Sequence, residues 1–473
     1  MSRWVACAIT ALVLSSCQRQ AKPEPSTAVR PVAEAPNGPA TEEPRSAAPP
    51  NRPATEEPRS AAPPRAGVAR PATPRERAAV DDLVRAAEAV RQLKLRKPVQ
   101  VEIEDGEAIA QSLRAQIDED EIERARTVYG ALGLLDTESD LRSMFAAVLG
   151  EQVIGYYDPE TARLVVRDSV MVALAGEPSS EQTQEASLVL VHELVHALQD
   201  QRLGLGESYE QARTADADNA FRAVVEGDAT LAMLAHALDQ QGIPLSAARE
   251  GIQQMGSYLD LNALVRGEKL DDAPAIVRVT LVAPYLRGLQ FIAAVEGRGG
   301  WPAVNNAHRR PPLSTEQVIH PQKYFDREPP EAIEVPDHEE VLASGFERVE
   351  RDTLGELELS VYLGQLNESG TDDEAAAGWA GDQLVVYRRG EELGVVWWTT
   401  WDTEEDAEEA HRAAREVAPS ETPSFADRKG RSVLIVRGLP PKLHRSLRNQ
   451  FASFARAIKA QPAPPTRRPS PVY

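Results

Sequence analysis

The sequence predicts an α+β fold: a mainly helical domain over residues 76–335 with one small β-sheet, then a smaller α+β domain over 336–460. Three observations predict it. Apolar residues recur at helical spacing through most of the first stretch, beginning with Val80, Leu83, Val84, Ala87, Val90 and Leu93. Two short apolar runs, Val153–Tyr157 and Ala162–Val166, flank Asp158-Pro159-Glu160-Thr161 and read as a hairpin. From about Pro336 strand-like runs take over, interrupted by two helical stretches.

Met1-Ser2-Arg3-Trp4, a short apolar run and Leu14-Ser15-Ser16-Cys17 read as a signal peptide, because the run is too short to span a bilayer. Leu-Ser-Ser-Cys resembles the bacterial lipoprotein lipobox. That resemblance implies lipidation of Cys17 and a protein anchored in the cell envelope outside the cytoplasm, on a periplasmic, outer-membrane or cell-surface face. Two acyl chains would make the anchor stable. Only 2 Cys are present, and Cys7 leaves with residues 1–17, so neither a disulfide nor a cysteine-ligated metal site is expected. Residues 18–75 are rich in Pro, Ala, Glu and Arg, with Pro39–Pro50 repeated at Pro53–Pro64. Such a duplication makes an extended tether, ~3 Å per residue where polyproline-like. Residues 461–473 form a second Pro-rich, disordered tail.

The first helix runs from Arg75 and ends before Lys97-Pro98, and Val99–Ile103 alternates like a strand. Helices follow at Gly106–Gln116, Glu119–Leu132 and Glu138–Leu149, the last with Leu141, Met144, Phe145 and Val148 on one face. The hairpin comes next. Its position just ahead of the following helix marks it as a possible edge strand on which a peptide could lie by strand addition.

Ser187 to Leu198 reads Ser-Leu-Val-Leu-Val-His-Glu-Leu-Val-His-Ala-Leu, an HExxH pattern whose only ionisable residues are His192, Glu193 and His196. Histidines four apart share a helix face and can converge on one zinc ion. Glu193 is then placed to act as general base toward the water the metal activates. A carboxylate in so apolar a helix is costly unless it has such a partner. Catalytic zinc takes three protein ligands, so a third must lie elsewhere. Gln199 and Arg202 occupy the places where a metzincin has glycine and histidine, which removes that solution. Asp216 to Leu238 reads as a helix, and the neighbours of Glu226 on its face, Ala223, Ala229, Thr230 and Met233, are small or apolar apart from Arg222. Glu226 is the natural third ligand. Asp216, Asp218 and His236 are rivals, the two aspartates resembling helix N-terminal charges.

These residues resemble the gluzincin class of zinc metallopeptidases, in which a second helix supplies a glutamate ligand. His192 to Asp200, HELVHALQD, is close to the thermolysin-type HELTHAVTD. The likeness covers this segment and, more loosely, Glu226-Gly227-Asp228-Ala229. It implies a zincin-like metallopeptidase domain holding one Zn2+ through His192, His196 and Glu226, with peptide or protein as substrate. There is one departure. Thr230 stands where that family has an aspartate orienting the first histidine, and Asp228 lies ~200° round the helix from Glu226. Asp200, one turn past His196, is an alternative outer partner.

Val277–Val295 is a further apolar helix. Ser314-Thr315-Glu316 starts a short helix that Pro321 stops. The segment through His320 and Tyr324 resembles stretches of uncharacterised bacterial and archaeal surface proteins that also carry HExxH. His320 is a catalytic candidate, as donor to an oxyanion, with Tyr324 and Tyr209 as alternatives. In the last domain strands are expected at Glu356–Leu363, Asp382–Tyr387, Glu392–Trp398 and Ser432–Val436, and helices at Glu404–Val417 and Pro441–Lys459. Trp397 and Trp398 point to opposite faces of one strand, so one is expected in the core and the other half-exposed or on a contact surface.

The net charge of -21 and the lack of a basic patch with interleaved aromatics disfavour nucleic acid as a partner. The sequence thus predicts a membrane-anchored zinc metallopeptidase. The other reading is an inactive surface lipoprotein that binds a cell-envelope polymer or partner protein through its C-terminal domain.

Overall fold

The computed structural model describes residues 69–459 apart from 137, 146–153, 175–179, 206–213, 259–271 and 419–421. Cys17, the signal peptide, most of the tether, Val148, Val153, Tyr209 and the tail lie outside the described residues. In chain order the elements are β1 (Arg70–Pro71), α1 (Pro74–Arg91), β2 (Gln100–Glu104), α2 (Gly106–Gln116), α3 (Glu119–Leu132), β3 (Gly155–Asp158), β4 (Arg163–Arg167), α4 (Asp168–Leu174), α5 (Glu181–Leu203), α6 (Ala215–Asp239), α7 (Leu245–Tyr258) and α8 (Ala275–Arg309). There follow α9 (Thr315–Ile319), α10 (Pro321–Asp326), α11 (Glu339–Ala343), β5 (Glu347–Asp352), α12 (Gly355–Leu363), α13 (Asp373–Ala376), β6 (Trp379–Arg389), β7 (Glu392–Trp401), α14 (Glu404–Glu416), β8 (Ser424–Lys429), β9 (Ser432–Arg437) and α15 (His444–Lys459). The fold is α+β.

Helix starts follow local capping chemistry. Thr73 and Glu76 form a reciprocal capping box with Pro74 in the first turn of α1, and Asp105 and Asp118 cap α2 and α3. The hairpin forms between β3 and β4 with Tyr156 opposite Val165. In its sheet the order is β1-β2-β4-β3, with β2 and β4 parallel. The second sheet is antiparallel throughout, in the order β5-β6-β7-β9-β8.

Three expectations are corrected. Glu356–Leu363 is the helix α12 and not a strand. The Glu-Leu-Glu-Leu alternation mimics a two-sided strand, yet all nine residues of α12 are buried, the glutamates included, so no face turns to water. Trp398 is as buried as Trp397, because Phe451 and Phe454 of α15 cover the second face of the sheet while Tyr362 of α12 packs on the first. β3 is the end strand of its sheet, but all four of its residues are buried, so it is not an exposed edge. The polar strands β5 and β8 carry too little apolar signal to be read from sequence.

The core centres on α5, α6 and α8. α8 is long and apolar enough to cross a membrane by composition alone, but 78% of its most apolar window is buried within the fold. It breaks at Gly299 and Gly300, the latter at φ +63°, which turns Trp301, Asn305 and His308 back toward α1 and α6. α6 and α8 touch backbone to backbone. A Cβ on Gly227 would lie 2.2 Å from the Gly288 carbonyl carbon, and one on Gly288 would lie 2.2 Å from the Ala223 oxygen. Core packing crosses the boundary expected near 336: Leu357 and Val361 pack with Ile276–Leu286, and Val128, Ala131 and Leu132 pack with Trp379 and Trp397.

The N-terminus of α6 is clamped at this crossing. The Ala215 N–H donates to Asp352 Oδ1 (3.0 Å) and the Asp216 N–H to the Thr353 oxygen (3.0 Å). Asp216 Oδ1 accepts from both the N–H and hydroxyl of Thr315 (2.7 and 2.6 Å). Glu358 Oε1 accepts from Asn219 (2.8 Å) and Tyr129 (3.1 Å). Burial pushes Asp216 up to about 8, Glu358 up to about 8 and Asp352 up to about 6, against the pull of these hydrogen bonds. Folding therefore takes up protons here, and the contribution of these three carboxyls to stability is greatest at acid pH and falls as pH rises toward 8. Between pH 6 and 8 the melting temperature is expected to drop, Asp216 and Glu358 each contributing up to ~1.4 kcal/mol per pH unit, while Asp352 contributes only at the acid end of that window. Glu358→Gln keeps an acceptor for both donors and should flatten that slope. A flat or rising profile in the native chain would contradict the clamp's electrostatics.

Candidate metal centre

α5 begins at the Ser180 cap and ends at Gly204, φ +73°. Between them Val189–Gln199 is buried without interruption, so His192, Glu193 and His196 enter the core because the helix around them is apolar on every side. α6, capped by Thr214, brings Glu226 against them.

The side chains of His192, His196 and Glu226 converge. His192 Nε2 lies 3.0 Å from His196 Nε2 and 3.2 Å from Glu226 Oε2, and His196 Nε2 lies 3.4 Å from that oxygen. A tetrahedral ion with bonds of ~2.0–2.1 Å holds its ligand atoms ~3.3–3.4 Å apart, so the spacing suits a zinc-sized ion. Among the described residues this is the one group of three or more His, Cys, Asp or Glu side chains close enough to share a metal. All three are buried. Burial pushes His192 down to about 4. It would push Glu226 up, but His196 and His192 outweigh it and hold the carboxyl well below the ordinary range, so it is ionised. A carboxylate facing two buried imidazoles, with its Oε1 lacking a hydrogen-bond partner among the described residues, is a setting that a cation completes. Tyr285 of α8 stacks on His192, ring centroids 6.0 Å apart.

Glu193 is fully buried and its Oε2 accepts the Tyr157 N–H of β3 at 3.1 Å. The end strand thus meets the helix at the carboxylate. Asp200 is not an outer partner of a histidine: it accepts from the Tyr157 hydroxyl at 2.8 Å, and burial raises its carboxyl. His196 Nδ1 instead meets Gln199 Oε1 at 2.9 Å. Gln199 Nε2 donates to the Val225 oxygen (3.0 Å) and to Asp228 Oδ2 (2.9 Å). Asp228 also accepts from Arg91 Nε (2.6 Å), Arg91 Nη2 (3.1 Å) and His308 Nε2 (2.8 Å). So the angle that separates Asp228 from Glu226 on α6 aims it at Gln199. Thr230 Oγ1 and His192 Nδ1 are both buried with no hydrogen-bond partner among the described residues.

Other sequence candidates sit elsewhere. His320 Nε2 is engaged by Glu356 Oε1 at 2.9 Å, which raises its pKa, and the Tyr324 hydroxyl donates to the Arg310 oxygen at 2.9 Å. Neither contact reaches the trio. Of the rival ligands, Asp216 is held by Thr315, Asp218 pairs with Arg222 at 3.6 Å and His236 bonds Gln240 at 2.7 Å. Asp216 is buried, unlike an ordinary helix-end charge. A cleft of about 560 Å³ lined by Phe221, Arg310, Tyr324 and Arg327 does not take in the trio.

Sequence reasoning did not assign roles to Gln199, Arg91, His308 or the Tyr157 N–H. Gln199 had a signal: it is a polar residue one turn beyond His196 in an apolar run. Arg91 and His308, 137 and 80 residues from Asp228, had none.

A family model described as a domain of unknown function, DUF8575, matches residues 340–444, which takes in β5–β9 and the helices between them. It leaves the trio outside. No curated protein and no solved structure matches the chain.

Proposed function

We propose that the chain is a zincin-like, gluzincin-type metallopeptidase that hydrolyses peptide or protein substrates, anchored through Cys17 outside the cytoplasm. The observation that carries this reading is the convergence of His192 and His196 of α5 with Glu226 of α6, Glu193 following His192 on α5. Zinc held by these three side chains would supply Lewis acidity toward water and the scissile carbonyl. Glu193 is the group that takes and returns the proton, and the Tyr157 N–H fixes the direction of its carboxylate. Gln199 and Tyr285 bracket the two histidines.

The test is metal content. The purified chain is expected to carry about one zinc, to lose it when His196 is replaced by alanine, and to gain melting temperature on zinc addition. A chain that takes up no zinc and is not stabilised by it would end the proposal.

The burial of all four side chains favours a second reading, in which the ion is structural and the protein is a silent surface lipoprotein that binds a cell-envelope polymer or partner protein through its C-terminal domain. Zinc-loaded chain that cleaves no peptide in a broad substrate mixture would select that reading.

A further inference from the structure

The hydrogen bonds around Gln199 leave one proton arrangement. Gln199 Nε2 faces two atoms that only accept, the Val225 carbonyl oxygen at 3.0 Å and Asp228 Oδ2 at 2.9 Å. Flipping the amide would set oxygen against oxygen at both contacts, so the nitrogen must face them. Asp228 stays an acceptor because the buried Arg91 guanidinium grips it through two nitrogens and His308 Nε2 donates to the same oxygen. Gln199 Oε1 is then turned to His196 Nδ1 at 2.9 Å, and an oxygen there requires Nδ1 to carry hydrogen. In the neutral ring His196 Nε2 then keeps its lone pair, on the side of His192 and Glu226.

We propose that Gln199 is a positioning residue that holds His196 in its metal-binding tautomer, and that Arg91 and His308, acting through Asp228, fix which way the Gln199 amide points. The network rests on the reading of the trio as a metal site for its purpose, but its geometry does not need the metal. It is one-sided. Among the described residues His192 Nδ1 has no hydrogen-bond partner, so the second imidazole is not preset in the same way.

Long-range proton–nitrogen NMR on the full chain carrying 15N-histidine tests this directly, because it reads which ring nitrogen is protonated without metal or activity. Metal-free native chain is expected to show His196 protonated at Nδ1. Gln199→Met keeps the length and removes both hydrogen-bonding groups, so its His196 should lose that preference, and its zinc affinity should fall by about 10–100-fold. Asp228→Asn, which loosens the amide's anchor, should move the same signals in the same direction. His196 protonated at Nε2 in the native chain, or a tautomer unchanged in Gln199→Met, overturns the proposal. The metal reading fails separately: a chain with His196 protonated at Nδ1 that binds no zinc keeps the network and loses the metallopeptidase.

Discussion

Glu193→Gln is expected to hold zinc in the native amount and to hydrolyse peptide ~10²–10⁴-fold more slowly, the range that general acid–base groups contribute. The substitution preserves shape. Its amide oxygen can still accept the Tyr157 N–H that Glu193 Oε2 accepts at 3.1 Å, so β3 and α5 should keep their contact. What it removes is the ability to take a proton. Because Glu193 is fully buried, exchanging a carboxylate for a neutral amide lowers the cost of burying the group, and the melting temperature should be equal or higher. Metal analysis and steady-state kinetics on the same preparation check both halves. Full turnover by this variant removes Glu193 from the mechanism, and lost zinc would make it a structural support of the site.

The second large effect is expected at the helix crossing. Gly288→Ala puts a carbon 2.2 Å from the Ala223 oxygen, which is backbone and cannot rotate away, so α6 and α8 must separate. Overpacking of this kind costs ~1–3 kcal/mol and can cost more. Gly227, beside Glu226, sits on the same contact, so separation also displaces the carboxylate from the histidines and should weaken zinc binding. Gly251→Ala in α7 is the contrast, since no atom of the described residues lies within 4 Å of its added carbon. It should stabilise the chain by ~0.4–1 kcal/mol by removing backbone freedom from the unfolded state. Denaturant unfolding of the two variants measures the difference. A Gly288→Ala chain as stable as the native one would mean that the backbones do not meet here.

Much of the helical part was legible in the sequence because local rules and burial agree there. Gly106–Gln116 and Glu119–Leu132 have the bounds their periodicity and acidic caps imply. The helices of the trio were legible for a related reason: a run such as Val189–Leu198 with three ionisable residues has few ways to satisfy them. α12 was misread because its two glutamates look like a solvent face, while Asn219 and Tyr129 receive one and His320 the other in the interior. No local pattern announces these partners, which lie 36 to 229 residues away. The cover over Trp398 is likewise non-local, supplied by Phe451 and Phe454 of α15. Around the metal centre the spacing in sequence predicts which residues are near the donors, but the direction of Asp228 was decided by Arg91 and His308, which no window around α6 contains.

The three donors come from a short stretch of chain, with His192 and Glu226 only 34 residues apart. The network that sets the His196 proton is far wider, since Arg91 reaches across 214 residues to Asn305 as it grips Asp228. Long-range closures of this kind follow local ones, because the entropy of the intervening loop must be overcome first. In a folding chain, donor proximity therefore precedes donor readiness. α5 and α6 can pair while α1 and the end of α8 are still apart, and at that stage His196 is free to carry its proton on the wrong nitrogen. If the trio holds zinc as proposed, strong capture is expected late in folding, which would tie the ion to the finished fold rather than to the first helices that touch it.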